Sequence, residues 1–365
     1  MNPYFEFIRY CLDERLPVPA SVHSMDWEEL FLFMQQQALV GVGYLGIGRL
    51  KREGIDIPKR VFLKWYTLSE KIKARNGLVN QCCVGVGEMM KKDGFSSCIL
   101  KGQGNSLLYP NPYVRLSGDI DIFVMKAEGM GISERRRIVM DYVRQRFPQA
   151  IFRYHHIHYP IFKDVAVEVH FLPTIVNNPV YYRRIQRWAE DRMAQQCSHV
   201  VQLPDGVGSV SIPTNDFNLI YQLSHLMHHF FDEGIGLRQM MDYYFVLKNA
   251  DGASQYRAAL EKELRYLGLY RFAGAVMYVM QEVFGLEAEW MIAPVDAKRG
   301  KTLMGEILKG GNFGKYSGLT NHSTGTKYFL KIRRNLRFVR EYPAEALSEP
   351  VFRTWHFFWR LCHRR

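Results

Sequence analysis

The sequence predicts an α/β protein of the α+β kind, in which a small mixed β-sheet is flanked by an N-terminal and a C-terminal helical segment. Apolar runs with the two-residue period of β-strands are concentrated between residues 91 and 212. The residues on either side follow the three-to-four-residue apolar period of amphipathic helices. With 365 residues, 47% of them apolar and 23% charged, the chain can bury a large core, and its composition excludes an intrinsically disordered protein.

The periodicities divide the chain into three segments. These are an N-terminal helical segment (1–90), a strand-bearing core (91–212) and a C-terminal helical segment with a basic tail (213–365). The predicted helices cover 26–34, 61–83, 134–146 and 218–231. Thr214 or Asp216 is expected to cap the last of these. The predicted strands cover 95–100, 117–124, 152–159 and 165–171.

Two carboxylates lie in the second predicted strand. Asp119 and Asp121 are two residues apart in an apolar run, so a strand would place both on one face. Two neighbouring carboxylates repel each other unless a cation lies between them, and such oxygen ligands suit Mg²⁺ carried in with a phosphate substrate. The alternative is a pair of ordinary solvent-exposed aspartates.

A third acid lies in the last predicted strand, where Ala166, Glu168 and His170 alternate with apolar residues. Glu168 could join the two aspartates as a metal ligand, or take a proton from an attacking hydroxyl. Alternatively, Glu168 and His170 face solvent or pair with arginines. Any of the histidines of the third strand could also reach the site, although histidine is common on half-exposed strands. These are His155, His156 and His158.

A glycine turn follows the first predicted strand, at Lys101, Gly102 and Gly104. Glycine allows the backbone to approach a phosphate closely, and the free amides at the start of a helix favour anions. Lys101 would add a positive charge to the same phosphate. The spacing is not that of a P-loop. The alternative is an ordinary left-handed turn with a surface lysine.

These blocks together resemble the DNA polymerase β-like nucleotidyltransferase superfamily, and within it one uncharacterised bacterial nucleotidyltransferase family, the nucleotidyltransferase 5 group. The resemblance covers about residues 20 to 290. The blocks that carry it are Leu-Lys-Gly at 100–102, Arg-Leu-Ser-Gly-Asp-Ile-Asp at 115–121, Val-Glu-Val-His at 167–170, His-Leu-Met-His-His at 225–229 and Gly-Leu-Arg-Gln-Met-Met-Asp at 236–242.

The resemblance implies a polymerase β-like sheet and the transfer of a nucleoside monophosphate from a nucleoside triphosphate to an acceptor. It assigns two Mg²⁺ (or Mn²⁺) ions to Asp119 and Asp121, with Glu168 joining the catalytic one, and the β- and γ-phosphates to the backbone around Gly102. This chain departs from the superfamily in two respects. Gln103 follows Gly102 where a serine is usual, and the gap from Gly102 to Asp119 is longer. Arg115 could supply the charge that the serine would have helped to orient, or it could be a surface residue.

Two further residues are candidate phosphate contacts. His225 lies four residues before His229 on one face of the predicted helix, a spacing seen in zinc-binding helices, but the glutamate of His-Glu-x-x-His is missing. We expect His225 to link this helix to the strands or to contact a nucleotide phosphate. Arg238 lies four residues before Asp242 and is expected to pair with it on the next helix.

The net charge is +12, and residues 327–365 hold ten basic and three acidic residues, or +7. Two apolar stripes run through this basic region. They predict helices that pack on the body of the protein, or that make weak contact with an anionic membrane or with RNA. The N-terminus lacks a basic signal-peptide region, and the six cysteines form no Cys-x-x-Cys pair, so we expect a cytoplasmic protein.

The sequence thus favours an NTP-dependent, two-metal nucleotidyltransferase whose acceptor is a small molecule, a protein side chain or an RNA end. One alternative is a catalytically weak, nucleotide-binding regulatory or antitoxin-like protein, which the missing serine favours. Another is a membrane- or RNA-binding protein that works through its basic tail.

Overall fold

The computed structural model describes residues 2–250, 257–316 and 324–362. Its contacts divide the chain into two compact units. The first unit comprises Met1–Asn76, Tyr109–Leu116 and Asp232–Lys331, and the second comprises Gly77–Leu108, Ser117–Phe231 and Ile332–Arg365. The three segments predicted from the sequence stay a prediction, since the units are defined by contacts and not by order along the chain.

The helices and strands follow one another in two helix-rich stretches separated by the strands. In chain order they are α1 (Pro3–Leu12), α2 (Trp27–Gln36), α3 (Val40–Arg52), α4 (Lys59–Lys92), β1 (Ser96–Ile99), α5 (Gln103–Ser106), β2 (Ile120–Met125), α6 (Ile132–Arg146), β3 (His156–His158), β4 (Val167–His170), α7 (Pro179–Ser198), β5 (Val200–Gln202), β6 (Ser209–Ser211), α8 (Asn215–Asp232), α9 (Leu237–Lys248), α10 (Arg257–Tyr266), α11 (Tyr270–Val279), α12 (Ala297–Gly310), α13 (Thr324–Leu336) and α14 (Pro343–Cys362).

The first unit is built from helices around a buried tryptophan. Trp65 of α4 is fully buried, and Phe31 and Phe7 pack edge-on against its ring, with centroid distances of 5.3 and 6.3 Å. Gly43 of α3 lies directly against this ring, because a Cβ there would come within 2.3 Å of it. A side chain at position 43 would therefore push the tryptophan out of the core.

The second unit contains a four-stranded mixed sheet with strand order β1-β2-β4-β3. β2 is antiparallel to β1 and parallel to β4, and β3 is antiparallel to β4. One face of this sheet packs on α4 and α6. The residues that the central strands bury there are Ile120, Ile122, Val124, Val167 and Val169. This is the alternation that the sequence predicted for these strands.

The predicted fold class, a mixed sheet with helical flanks, is confirmed. Three of the predicted strands are shorter at both ends in the structure, β2 begins later and ends at Met125, and α4 extends from Lys59 to Lys92, beyond the predicted 61–83. α8 begins at Asn215, and its cap is Thr214, whose Oγ1 accepts a hydrogen bond from the backbone N of Phe217 at 3.4 Å. The hairpin β5–β6 was not predicted, because strands of three residues carry almost no periodic signal.

The basic C-terminal region forms α13 and α14. Phe352 of α14 packs against the core of the second unit, and Trp355 lies 4.9 Å from the ring of Tyr154. Val351 and Phe358 of the same helix are 70% and 59% exposed. Contact of this region with a membrane or RNA stays a prediction, and residues 363–365 of the tail lie outside the described residues. Within the described parts of the chain, no helix combines the length and the apolar character that crossing a membrane requires.

Candidate active site

Two of the three predicted acids, Asp121 and Glu168, meet on the face of the sheet opposite the apolar core. β2 and β4 run parallel with Asp121 directly opposite Glu168 in the register. Asp119 immediately precedes β2, two residues before Asp121, and the charge of Asp121 is the main influence on its pKa. The apolar neighbours of Asp121 and Glu168 along their strands lie in the core. The pleat therefore directs the two carboxylates to the opposite face of the sheet.

Asp121 is the most strongly paired of the three acids. It is buried, and its Oδ2 accepts from Lys101 Nζ at 3.1 Å while its Oδ1 lies 2.9 Å from His170 Nε2. Burial disfavours the charged form, but Lys101 and His170 outweigh that effect and hold the pKa of Asp121 well below its usual value. Asp121 is therefore a carboxylate at neutral pH.

The partner of Asp121 on β4 is charged as well. Burial alone would lower the pKa of His170, but its contacts with Asp121 and Glu168 raise that pKa to about 9. The imidazolium accordingly donates through Nε2 to Asp121. His170 comes within 3.6 Å of Glu168, so it lies between two of the three acids.

Asp119 differs from Asp121 in exposure and in the direction of its pKa shift. It keeps solvent-exposed surface, whereas Asp121 is buried. The charge of Asp121 raises the pKa of Asp119, loss of surrounding water adds to the effect, and Lys101 only partly offsets it. The ends of these strands therefore carry negative charge that the protein's own cations do not fully balance.

Glu168 faces three histidines as well as Asp121. Its carboxylate lies 3.4 Å from His156 Nδ1, 3.6 Å from His158 Nδ1 and 3.6 Å from His170 Nε2. Burial lowers the pKa of His156 well below its usual value, and the charge of His170 lowers it further. His156 is therefore a neutral imidazole beside a charged one.

The glycine turn lies next to the acidic strand. Gly102 has φ +61° and ψ −107°, a conformation that L-residues with a side chain rarely adopt, and a Cβ there would lie 3.8 Å from the backbone oxygen of Asp119. The backbone N of Leu100 donates to the oxygen of Asp121 at 2.9 Å, which fixes β1 beside β2. Gly104, by contrast, is buried, and a Cβ there would come within 3.1 Å of Ile212.

His225 is joined to this site through Lys101. The two side-chain nitrogens are 2.9 Å apart. Because an ammonium group can only donate, Nε2 of His225 accepts and the ring proton lies on Nδ1. Burial, and then the charge of Lys101, lower the pKa of His225 well below its usual value. His225 thus links α8 to Lys101, in the turn that follows β1. Three groups of described residues have ligand atoms close enough to hold a metal ion, and Asp119, His225 and His229 belong to none of them.

Two predicted phosphate contacts lie in the first unit. Arg115 makes a bidentate ion pair with Asp242 of α9, with both N–O distances 2.7 Å and both side chains buried. Tyr109 also donates to Asp242, at 2.7 Å. Arg238 donates to the backbone oxygen of Leu116 at 2.9 Å, and its charge also lowers the pKa of Asp242. The carboxylate of Asp242 therefore pairs with Arg115, which is distant in sequence, and it also lies near the charge of the local Arg238.

The site residues that the sequence pattern leaves unassigned are histidines. The pattern puts His170 on the face of Glu168 but does not predict its ion pair with Asp121. It gives no individual role to His156 among the three histidines of the third predicted strand. One pattern in the sequence could have identified these histidines. His-x-His on one strand and Glu-x-His on the next place four polar side chains on one face.

Comparison with known proteins gives one match. No curated protein and no solved structure matches the chain. The family model described as uncharacterised nucleotidyltransferase matches residues 23–285, which include the strands, the glycine turn, the three acids and α9. Because the match covers most of the chain, the protein belongs to the uncharacterised nucleotidyltransferase family.

Proposed function

We propose that this protein is a Mg²⁺-dependent nucleotidyltransferase of the DNA polymerase β-like kind, which moves a nucleoside monophosphate from a nucleoside triphosphate to a hydroxyl of an acceptor. The observation that carries the proposal is the position of Asp121 opposite Glu168 in adjacent parallel strands, with Asp119 just before the start of β2. Membership of a nucleotidyltransferase family supports it.

The donor set fits a magnesium ion. Asp119, Asp121 and Glu168 offer carboxylate oxygens, the ligands that Mg²⁺ prefers. The repulsion that raises the pKa of Asp119 is the excess negative charge that a cation would relieve. These three residues would hold the metal. When bound, Mg²⁺ neutralises charge on the triphosphate and on the leaving pyrophosphate.

The remaining residues supply charge, backbone donors and a base. Lys101 is held between Asp121 and His225, which fixes its ammonium group where it could bind a phosphate oxygen. The open turn at Gly102 lets a phosphate approach the backbone beside Asp119. Glu168 would take the proton from the attacking hydroxyl. Phosphate contacts by Gly104, Arg115, His225 and Arg238 stay predictions.

The test follows the label on the triphosphate. The full chain is incubated with Mg²⁺ and each of the four NTPs, labelled at the α- or the γ-phosphate, and offered small-molecule, RNA and protein fractions as acceptors. We expect the α-label to enter one fraction with release of pyrophosphate, and Asp119→Asn to abolish this. Glu128→Gln, a change at an exposed acid beyond β2, should leave it intact. Transfer of the γ-label, or no transfer at all, would contradict the proposal.

A second candidate function is nucleotide binding without turnover. It is favoured by the two hydrogen bonds that occupy Asp121, because Lys101 and His170 already neutralise the carboxylate that a metal would need. Under this alternative a triphosphate binds, but no label is transferred to any fraction.

A further inference from the structure

A block of histidines lies beside the acids on the same face of the sheet. β3 and β4 pair antiparallel, with His156 opposite His170 and His158 opposite Glu168. Ile157, between the two β3 histidines, is fully buried in the core. The pleat therefore puts two histidines of β3 and the Glu-x-His pair of β4 together on the opposite face.

The distances within this block suit a metal ion. His156 Nδ1 lies 3.4 Å from one Glu168 oxygen, and His158 Nδ1 lies 3.6 Å from the other. Two ligand atoms, each about 2.1 Å from a tetrahedral zinc ion, are about 3.4 Å apart. The ligand atoms of all three residues lie within 4.8 Å of one another. Small side-chain rotations would bring them to coordination distance.

His156 has coordination capacity that the protein leaves unused. Its side chain is only 11% exposed, and neither of its ring nitrogens has a hydrogen-bond partner among the described residues. A buried polar atom without a partner is costly, and it calls for a ligand or ion. His158 is 37% exposed, so an ion can enter the block from its side.

We propose that His156, His158 and Glu168 form a second metal centre, which takes a first-row transition ion such as Zn²⁺ and is separate from the aspartates proposed to hold Mg²⁺. Two imidazoles and one carboxylate favour ions of intermediate softness, whereas Mg²⁺ prefers oxygen. Three protein ligands leave a position open for water or a substrate atom. Glu168 lies between the two centres, with Asp121 on one side and the histidines on the other.

A competing set consists of Asp121, Glu168 and His170, whose ligand atoms are equally close. There, however, His170 Nε2 is already engaged with Asp121 at 2.9 Å, so a metal would have to break an internal ion pair. The nitrogens of His156 face no such competition. The β3 histidines are therefore the better transition-metal ligands.

Metal analysis of the full chain tests this centre without nucleotide. The protein is stripped with a chelator, dialysed against Zn²⁺, and its zinc content measured. We expect one zinc ion bound by the wild type, with affinity reduced by about 10-fold or more in His158→Ala. The double variant His156→Ala/His158→Ala should lose the ion. The exposed His23, in the first unit, provides the matched control, and His23→Ala should bind zinc like the wild type.

Three results would overturn the inference. They are no zinc on the wild type, unchanged zinc on the His156 and His158 variants, and loss of zinc from His170→Ala while His158→Ala keeps it. Circular dichroism and melting curves establish that each variant is folded, and the half-exposed His158 gives a single change that the fold should tolerate. Asp119→Asn should keep its zinc even where it abolishes nucleotidyl transfer. Failure of the zinc centre is thus distinguishable from failure of the proposed function.

Discussion

Asp121 and Glu168 lie directly opposite each other on the parallel strands β2 and β4. That pairing places two carboxylates side by side on the polar face of the sheet, and Asp119 adds a third at the strand's entrance. Lys101 and His170 balance the charge of Asp121, but Asp119 keeps a raised pKa. The two aspartates of one short motif therefore differ in what they contribute to stability.

Asp119→Asn should leave the protein as stable as the wild type or slightly more stable at pH 7. The change removes a charge that Asp121 repels, and because the site is exposed we expect a gain below about 1 kcal/mol in the free energy of unfolding. Urea unfolding of both proteins at low salt measures this. A clear loss of stability would show that Asp119 has a stabilising partner.

Asp121→Asn should instead destabilise the fold. Lys101 and His170 would lose the buried anion between them, and removal of one member of a buried ion pair costs about 3 kcal/mol or more. The same urea titrations, run on both variants, give the comparison. Equal stability of Asp119→Asn and Asp121→Asn would contradict this account of the charges.

Gly102→Ala should disturb the turn beside Asp119. At φ +61° an added Cβ imposes backbone strain of about 1–2 kcal/mol, which should lower the unfolding free energy and weaken triphosphate binding. Gly131→Ala is the control, because its φ is −62° and no atom lies within 4 Å of the added Cβ. Thermal unfolding with and without nucleotide compares the two. If Gly102→Ala behaved like the control, the turn would have no part in triphosphate binding.

Arg115→Met should lower stability through loss of the ion pair in the first unit. Asp242 would remain buried with one partner fewer, and we expect a loss of about 3–5 kcal/mol in the free energy of unfolding. Arg15→Met, at an exposed pair with Asp13, should change little. If Arg115→Met weakened nucleotide binding while keeping its stability, the phosphate role predicted from the sequence would be the better account.

The pH dependence of stability should contain a contribution from Glu345 of α14. This buried carboxyl accepts from the backbone nitrogens of Asn177 and Asn178 at 2.8 and 3.2 Å, yet burial dominates and raises its pKa from 4.5 to about 7. A raised acid pKa means that the folded state binds the proton more tightly. The stabilisation is complete below pH 4.5 and is lost as pH rises through 7, by about 3 kcal/mol in all.

Glu345→Gln isolates that contribution because the amide keeps an acceptor oxygen but cannot ionise. Relative to wild type, the variant should gain about 3 kcal/mol in unfolding free energy between pH 4.5 and pH 8. Glu128→Gln, at an exposed site, should follow the wild-type curve. Parallel curves for wild type and Glu345→Gln would contradict the assignment.

The sequence predicts this fold well where the signal is local. Alternation of apolar and polar residues puts Asp121 and Glu168 on the faces that they occupy, since a pleat depends only on neighbours in the chain. Strand register is not local. Nothing in the two strands taken separately states that Asp121 faces Glu168 or that His156 faces His170.

The same limit applies to the ion pairs. Arg238 and Asp242 are four residues apart on a helix, so their proximity is readable from the sequence. Arg115 is 127 residues from Asp242, and only the folded chain reveals that pair. Lys101 and His225 are 124 residues apart, so the sequence does not predict their contact. It predicts only that His225 links its helix to the strands or contacts a phosphate.

A metal-dependent nucleotide site at Asp119 and Asp121 is tested by the thermal stability of the full chain with ATP, GTP, CTP and UTP, each with and without Mg²⁺. Asp119→Asn is the critical variant, because it should remain folded. We expect at least one triphosphate to raise the melting temperature of the wild type only when Mg²⁺ is present, and we expect Asp119→Asn to lose this increase. No increase with any triphosphate, or an equal increase in Asp119→Asn, would contradict a metal-dependent nucleotide site at these aspartates.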